Sequence, residues 1–188
     1  VSTIYSASGD VRLTAPGNIV DALNTSFVNI EAGDIWLTST GGGIGAAGSS
    51  GSEPNSLDIE ARGNGSTTGA GLLTATAQGD SFIAEQSGDM NVRNVLSTAG
   101  SVRLEAAENI LDAMDLVDPT VPSSGEDVDP ASKKPQIDVL AHENITLQAR
   151  GDSSGASGYI GEAGNQLDID SRRGNLAGVV SVPSRSDT

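Results

Sequence analysis

Residues 9–22 read Gly9-Asp10-Val11-Arg12-Leu13-Thr14-Ala15-Pro16-Gly17-Asn18-Ile19-Val20-Asp21-Ala22, and residues 100–113 read Gly100-Ser101-Val102-Arg103-Leu104-Glu105-Ala106-Ala107-Glu108-Asn109-Ile110-Leu111-Asp112-Ala113. Nine of the fourteen aligned positions are identical, which is too many for chance. A stretch that recurs at a long period is the sequence signature of repeat architectures. It therefore predicts a fold built from recurring units.

Two further matches extend the repeat. Ile44–Gly48 and Leu57–Asn64 recur as Ile160–Gly164 and Leu167–Asn175, and Asp34–Thr38 corresponds to Asn144–Gln148. We interpret residues 1–188 as a single solenoid segment of about two long repeats, residues 9–65 and 100–175.

The spacing between the copies locates an insertion. The first match recurs after 91 residues, whereas Leu57 and Asp34 recur after 110 and Ile44 after 116, so extra residues lie between Ala113 and Ile137. Residues 115–136 hold four of the seven prolines and many charges, without periodicity. This composition predicts a Pro-rich, acidic surface loop inserted into an otherwise regular structure.

Within each copy, apolar and polar residues alternate with a period of two. Examples are Val11 and Leu13, Ile35 and Leu37, and Leu57 and Ile59. Such alternation, bounded by Gly, Asn, Asp and Ser, predicts short, half-buried β-strands and almost no helix. A sandwich would need tight hairpin turns, whereas the links here are irregular. Similar strands at a long period favour an all-β parallel β-helix of about 20 to 25 residues per coil.

Composition restricts the function. The 188 residues carry a formal net charge of -15, which disfavours nucleic acids and anionic membranes as partners because phosphates attract basic surfaces. The chain contains no cysteine, so thiolate catalysis and Cys-zinc sites are excluded. No run of about 18 apolar residues predicts a transmembrane helix.

The repeats resemble those of very large bacterial surface proteins related to filamentous haemagglutinin. The resemblance rests on Gly41–Gly48, Leu57–Ala61, Gly79–Glu85, Gly100–Leu104 and Asn109–Ala113, and it covers the chain apart from the insertion. It implies a right-handed parallel β-helix, export to the cell surface or the extracellular space, and a role in adhesion, surface layers or fibres. It supplies no catalytic residues, so we expect a structural or adhesive protein and not an enzyme.

Acidic residues around the insertion suggest one ligand. Hard cations prefer clustered carboxylates. We predict calcium as the candidate metal, with six candidate ligands: Asp112, Asp115, Asp118, Glu126, Asp127 and Asp129. No other cofactor is expected.

The alternative function is a carbohydrate-active enzyme, a polysaccharide lyase or glycoside hydrolase, on the same scaffold. Asp58 with Glu60, and Asp168 with Asp170, are predicted to point outward and to line one face as solvated acids. The chain has few basic and aromatic residues with which an enzyme could hold a sugar. This favours the structural or adhesive protein over the enzyme, with a cell-surface or matrix polysaccharide as its ligand. The single histidine, His142, lies in no catalytic motif and is assigned to a corner after a strand.

Three smaller features recur between the copies. Arg12 and Arg103 are predicted to lie on an outer face and to pair with acids. Asn18 and Asn109 are predicted at corners, where Asn tolerates left-handed backbone and bonds to the main chain. Gly41–Gly45 is predicted to form a tight corner in which side chains would clash.

The sequence also suggests how the chain assembles with further coils or with other copies. The sequence begins at Val1, within a repeat, and neither end shows an obvious capping pattern, so we interpret the chain as a piece of a longer protein. Continuation into further coils, or end-to-end stacking of copies into a fibre, is therefore expected.

Overall fold

The structure, a computed structural model, describes residues 1–48, 54–63, 71–113, 137–151, 157–161 and 166–180. These residues form fourteen β-strands and no helix, as the period-two alternation predicted. A helix long and apolar enough to cross a membrane is accordingly not found in this part of the chain.

The strands form two parallel sheets. The first sheet contains, in spatial order, β1 (Ile4–Tyr5), β3 (Ile30–Ala32), β5 (Leu57–Ala61), β7 (Ser81–Glu85), β9 (Val102–Ala106), β12 (Ile145–Ala149) and β14 (Leu176–Val180). The second contains β2 (Val11–Ala15), β4 (Ile35–Ser39), β6 (Leu72–Ala77), β8 (Met90–Ser97), β11 (Val139–Ala141) and β13 (Ile169–Ser171), with β10 (Ile110–Asp112) also paired to β8.

The chain alternates between the two sheets except at β10 and β11, which both pair with β8 of the second sheet. The other strands each pair with the next strand of their own sheet. Ile4 pairs with Ile30, and Ile83 with Leu104, so one return to the first sheet takes 26 and 21 residues at these two places. Like residues stack on like, as with Ile35 beside Val11. This arrangement is compatible with the predicted β-helix.

Both sheets turn their aliphatic residues toward one shared apolar core. Ile30, Ile59 and Leu104 of the first sheet, and Ile35 and Leu73 of the second, are fully buried. Burying one such side chain stabilises the fold by roughly 1.5–3 kcal/mol. The core contains almost no aromatic residues because the inward positions are filled by Ile, Leu, Val and Ala.

The sequence repeat relates opposite sheets. Val11–Ala15 lies in the second sheet, whereas its counterpart Val102–Ala106 lies in the first. The other two matches also pair a strand of one sheet with a strand of the other. The similarity therefore reflects the shared demands on any inward-facing strand, with two inward aliphatics around one outward residue.

The strands on either side of the insertion, β10 and β11, both pair with the same strand of the second sheet, β8. Ile110–Asp112 pairs with residues 90–92 of β8, and Val139–Ala141 pairs with residues 95–97 of the same strand. The N–H of Ala113 donates to the carbonyl of Val92, and the N–H of Val95 donates to that of Asp138. Residues 114–136, which include the predicted loop, lie outside the described residues.

The glycine corner is confirmed. A Cβ on Gly43 would lie 2.5 Å from the carbonyl oxygen of Asp80, and Gly45 has a φ of +69°, which side chains disfavour. Close approach of the next layer therefore demands glycine at this corner.

Asn18 and Asn109 bond to the main chain at the corners, as predicted, but neither residue has left-handed backbone. The Oδ1 of Asn18 accepts from the N–H of Gly43 at 2.8 Å, and the Oδ1 of Asn109 accepts from the N–H of Tyr159 at 3.0 Å. Among the described non-glycine residues, positive φ occurs at Asn24 only. The side chain, and not the backbone conformation, is what these corners need.

Asn18 gives the first testable prediction. Asn18→Val and Asn18→Gly should each lower the free energy of unfolding by about 1 kcal/mol, because both leave the Gly43 N–H without its acceptor. Asn18→Asp keeps an acceptor oxygen and should be milder. Urea denaturation measures all three, and a glycine variant as stable as the wild type would show that the hydrogen bond is unimportant.

Candidate functional site

A polar cleft lies on the outer face of the first sheet. Its volume is about 510 Å³, within the range of roughly 300–1,000 Å³ that is common for small-molecule sites. Outward side chains of β5, β7, β9 and β12 line its floor, and residues 24–26 and 54–56 line its wall.

Strand register explains the floor of the cleft. Asp58 pairs with Ala84, Ala84 with Glu105, and Glu105 with Gln148, so these four residues form one file across adjacent strands. Neighbouring strands are about 4.8 Å apart, which places the Asp58 and Glu105 backbones about 10 Å apart. Ala84 has only a methyl group between the two acids, which leaves a hollow there.

Asp58 lies at one end of the hollow and is only 6% exposed. Its Oδ1 accepts from the Nε2 of Gln86 at 2.8 Å. Burial, together with the nearby Asp21 carboxylate, raises the pKa of Asp58 to about 6. Near this pH the side chain is therefore partly protonated and can donate as well as accept a hydrogen bond.

Glu105 lies at the other end and is held by two arginines. Its Oε1 accepts from the Nε of Arg103 at 2.6 Å, and its Oε2 accepts from the Nη2 of Arg150 at 2.7 Å. Arg150 follows β12 and has a half-exposed side chain. The carboxylate of Glu105 is thus fixed, while Arg150 keeps part of its surface toward solvent.

The wall is shaped by a buried carboxylate. Asp21 accepts from the N–H groups of Leu23 and Thr25, and also from the Nδ2 of Asn29 at 2.7 Å. These bonds fold the chain back on itself at Asn24, whose φ is 50°. The exposed Phe27 follows this wall directly.

The predicted acidic face needs correction. Asp58 and Glu60 do project away from the core, but they are 6% and 3% exposed and are not solvated. The Ser87 hydroxyl donates to the Glu60 carboxylate. Asp170 lies on β13 in the second sheet and Asp168 immediately precedes that strand, so the two acidic pairs do not line one face.

The predicted calcium ligands are only partly described. Asp112 lies on β10 at the register position of the inward-facing Val92 and is buried. Asp115, Asp118, Glu126, Asp127 and Asp129 lie outside the described residues. Residues that the structure does describe include no group of three potential metal ligands. Calcium at this place stays a prediction.

Two buried acids were not anticipated from the sequence. Burial raises the pKa of Asp138 to about 7, with Asp112 and Asp168 adding to the effect. Burial also raises the pKa of Glu85 well above its usual range. Glu85 occupies an inward position between Ile59 and Ala106, and its Oε1 accepts from the N–H of Ala61 at 3.0 Å.

The structure also shows the contacts of the two predicted outer arginines and of His142. Arg103 pairs with an acid as predicted, but Arg12 places its guanidinium 3.9 Å from the ring centre of Trp36 on the neighbouring strand. His142 directly follows β11, and its backbone N–H donates to the carbonyl of Ser97 at 3.1 Å. This position agrees with the predicted corner.

Charge reversal at Arg103 gives the second prediction. Arg103→Glu should cost about 1 kcal/mol, because Arg150 still pairs with Glu105 and the side chain of residue 103 is a quarter exposed. Removing both partners in Arg103→Glu/Arg150→Ala should cost more than the two single changes together, since Glu105 then has no counter-ion. Additive losses in thermal denaturation would contradict this coupling.

Comparison with protein-family models, curated proteins and solved structures finds no match for the chain.

Proposed function

We propose that the two sheets are two walls of a right-handed parallel β-helix, and that this coil is a structural or adhesive segment outside the cell. The observation that carries the proposal is the parallel pairing that continues through both sheets, with one register shift where Leu73 and Thr74 pair with β8. Connections between parallel strands of one sheet are right-handed in about 98% of cases, which supports the assignment of handedness. The resemblance to filamentous haemagglutinin repeats supports the extracellular location.

A stack of this kind suits a structural role because coils can be added to lengthen it without changing its cross-section. Each added coil pairs with the one before it and buries the same aliphatic positions, as Ile30 does beside Ile59. We therefore propose that the rod extends through further coils or through end-to-end contact of copies. The acidic surface, with a net charge of -15, opposes sideways aggregation of such rods.

The location is tested with antibodies raised against the purified chain. Intact cells of the source organism, or their culture medium, should react with the antibodies, and protease added to intact cells should remove the cell-bound signal. A cytoplasmic protein of the same cells serves as the control for leakage. Reaction confined to permeabilised cells would contradict an extracellular role.

A further inference from the structure

The cleft on the outer face of the first sheet combines chemistry that a structural wall does not require. Its lining includes the amides of Asn55, Gln86 and Gln148, the hydroxyls of residues 25, 26 and 56, and two carboxyls that face two guanidinium groups. Amides and hydroxyls both donate and accept hydrogen bonds, ionised carboxylates accept them and guanidinium groups donate them. A ligand rich in hydroxyl groups matches such a surface.

The charges in the cleft favour a neutral ligand. Arg103 and Arg150 are balanced by Glu105 and Asp58, and both arginines already bond to Glu105. An acidic polysaccharide would have to displace these pairs, and the chain's net charge of -15 would repel it. A neutral ligand meets neither cost.

An exposed aromatic residue follows the wall of the cleft in the chain, although it does not itself line the cleft. Phe27 follows the wall of residues 24–26, and 73% of its surface is exposed. An exposed aromatic ring gives the C–H face of a sugar ring a surface on which to pack. The polar lining of the cleft resembles neither a calcium site nor an apolar peptide groove.

We propose that this cleft binds a neutral oligosaccharide. The inference rests on the proposed adhesive function and names the ligand class for it. Binding without cleavage is expected from the geometry of Glu105. Each of its carboxylate oxygens already accepts a hydrogen bond from a guanidinium group, so neither oxygen is held ready to take a proton from water.

Titration calorimetry tests the inference with the full chain. The probes are malto-, cello-, xylo- and chito-oligosaccharides of two to six rings, with oligogalacturonate as the acidic comparison. At least one neutral series should bind. Gln148→Ala should weaken that binding about tenfold, because Gln148 lies on the floor of the cleft and its amide can both donate and accept a hydrogen bond there.

Matched variants separate the cleft from general effects on the fold. Thr146→Ala changes the same strand outside the cleft and should leave binding unchanged. Arg150→Ala should weaken binding, whereas Arg62→Ala, which removes a similar half-exposed ion pair with Glu31 on the same sheet, should not.

Four outcomes would overturn the inference. They are no binding by any neutral probe, binding only by oligogalacturonate, equal losses in the cleft and control variants, and release of new reducing ends from a bound probe. A negative result here leaves the proposed rod and its location intact, since strand register and antibody labelling are measured independently.

Discussion

Replacing Leu104 by alanine is expected to lower the free energy of unfolding by about 2–5 kcal/mol. Leu104 is fully buried on β9, between Ile83 of β7 and Leu147 of β12. The backbone ladders on both sides hold the strand in place, so the cavity cannot close by collapse. Urea denaturation followed by circular dichroism measures the loss.

Thr146→Ala is the control for this prediction. Thr146 lies on the adjacent strand and pairs with Arg103, on the side of the sheet opposite Leu104. Its replacement should change stability by less than about 0.5 kcal/mol. Equal effects of the two variants would show that the inward and outward faces of the first sheet have been assigned wrongly.

The protein should become more stable as pH falls from 8 to about 5. Asp58, Glu85 and Asp138 all have a pKa raised by burial, so the folded state binds more protons than the unfolded state in this window. Stability is then fully present below the unfolded pKa values of about 4 and is lost as pH rises through the folded values. Many proteins show the opposite trend on the acidic side because their carboxylates are stabilised by ion pairs.

Glu85→Gln should reduce this dependence. Glutamine keeps the shape and the acceptor for the Ala61 N–H but cannot ionise, so the slope should fall by up to about 1.4 kcal/mol per pH unit above the unfolded pKa. The variant should be more stable than the wild type at pH 8. Glu143→Gln removes an exposed carboxyl and is the control. An unchanged slope in Glu85→Gln would show that Glu85 is ionised in the folded protein.

The strands could be predicted because the sequence alternates where each strand has one buried face. Leu57 with Ile59, and Val102 with Leu104, mark β5 and β9 without further information. The sheet assignment could not be predicted, since the strands of both sheets face the same core and share one pattern. This is why Val11–Ala15 and Val102–Ala106 match in sequence but lie in different sheets.

The burial of Glu85 illustrates a second limit. In Ser81–Glu85, hydrophobicity alone would place Phe82 inward, but Ile83 pairs with Leu57 and Leu104 and takes the inward position. The two-residue period then turns Ser81 and Glu85 inward and Phe82 outward. Neighbouring strands, and not the local sequence, therefore decided which face of β7 is buried.

The cleft could not be predicted for a related reason. Asp58, Glu105 and Arg150 are far apart in sequence. They line one cleft because β5, β7, β9 and β12 are successive strands of the first sheet. Ala84 contributes by being small, which no motif search detects. The outward direction of Asp58 was predicted, but its burial depends on Gln86 and on the loop at Asn24.

Among the described residues, each sheet is a continuous parallel stack of strands, including the place where the insertion leaves the second sheet. One outward file of the second sheet runs through the paired residues Thr14, Thr38, Thr76, Leu96, Leu140 and Asp170. The chain has no cysteine, so pairs of spin labels can be placed at chosen positions without background labelling.

Pulsed electron paramagnetic resonance measures the spacing of that file. With one label at position 14, the backbone distances to positions 76, 140 and 170 should be about 10, 19 and 24 Å, a rise of about 4.8 Å per strand. The label pairs should report the same increments, although the insertion separates Leu96 from Leu140 in sequence. Distances that do not grow linearly with strand number, or that jump between positions 76 and 140, would contradict the continuous stack.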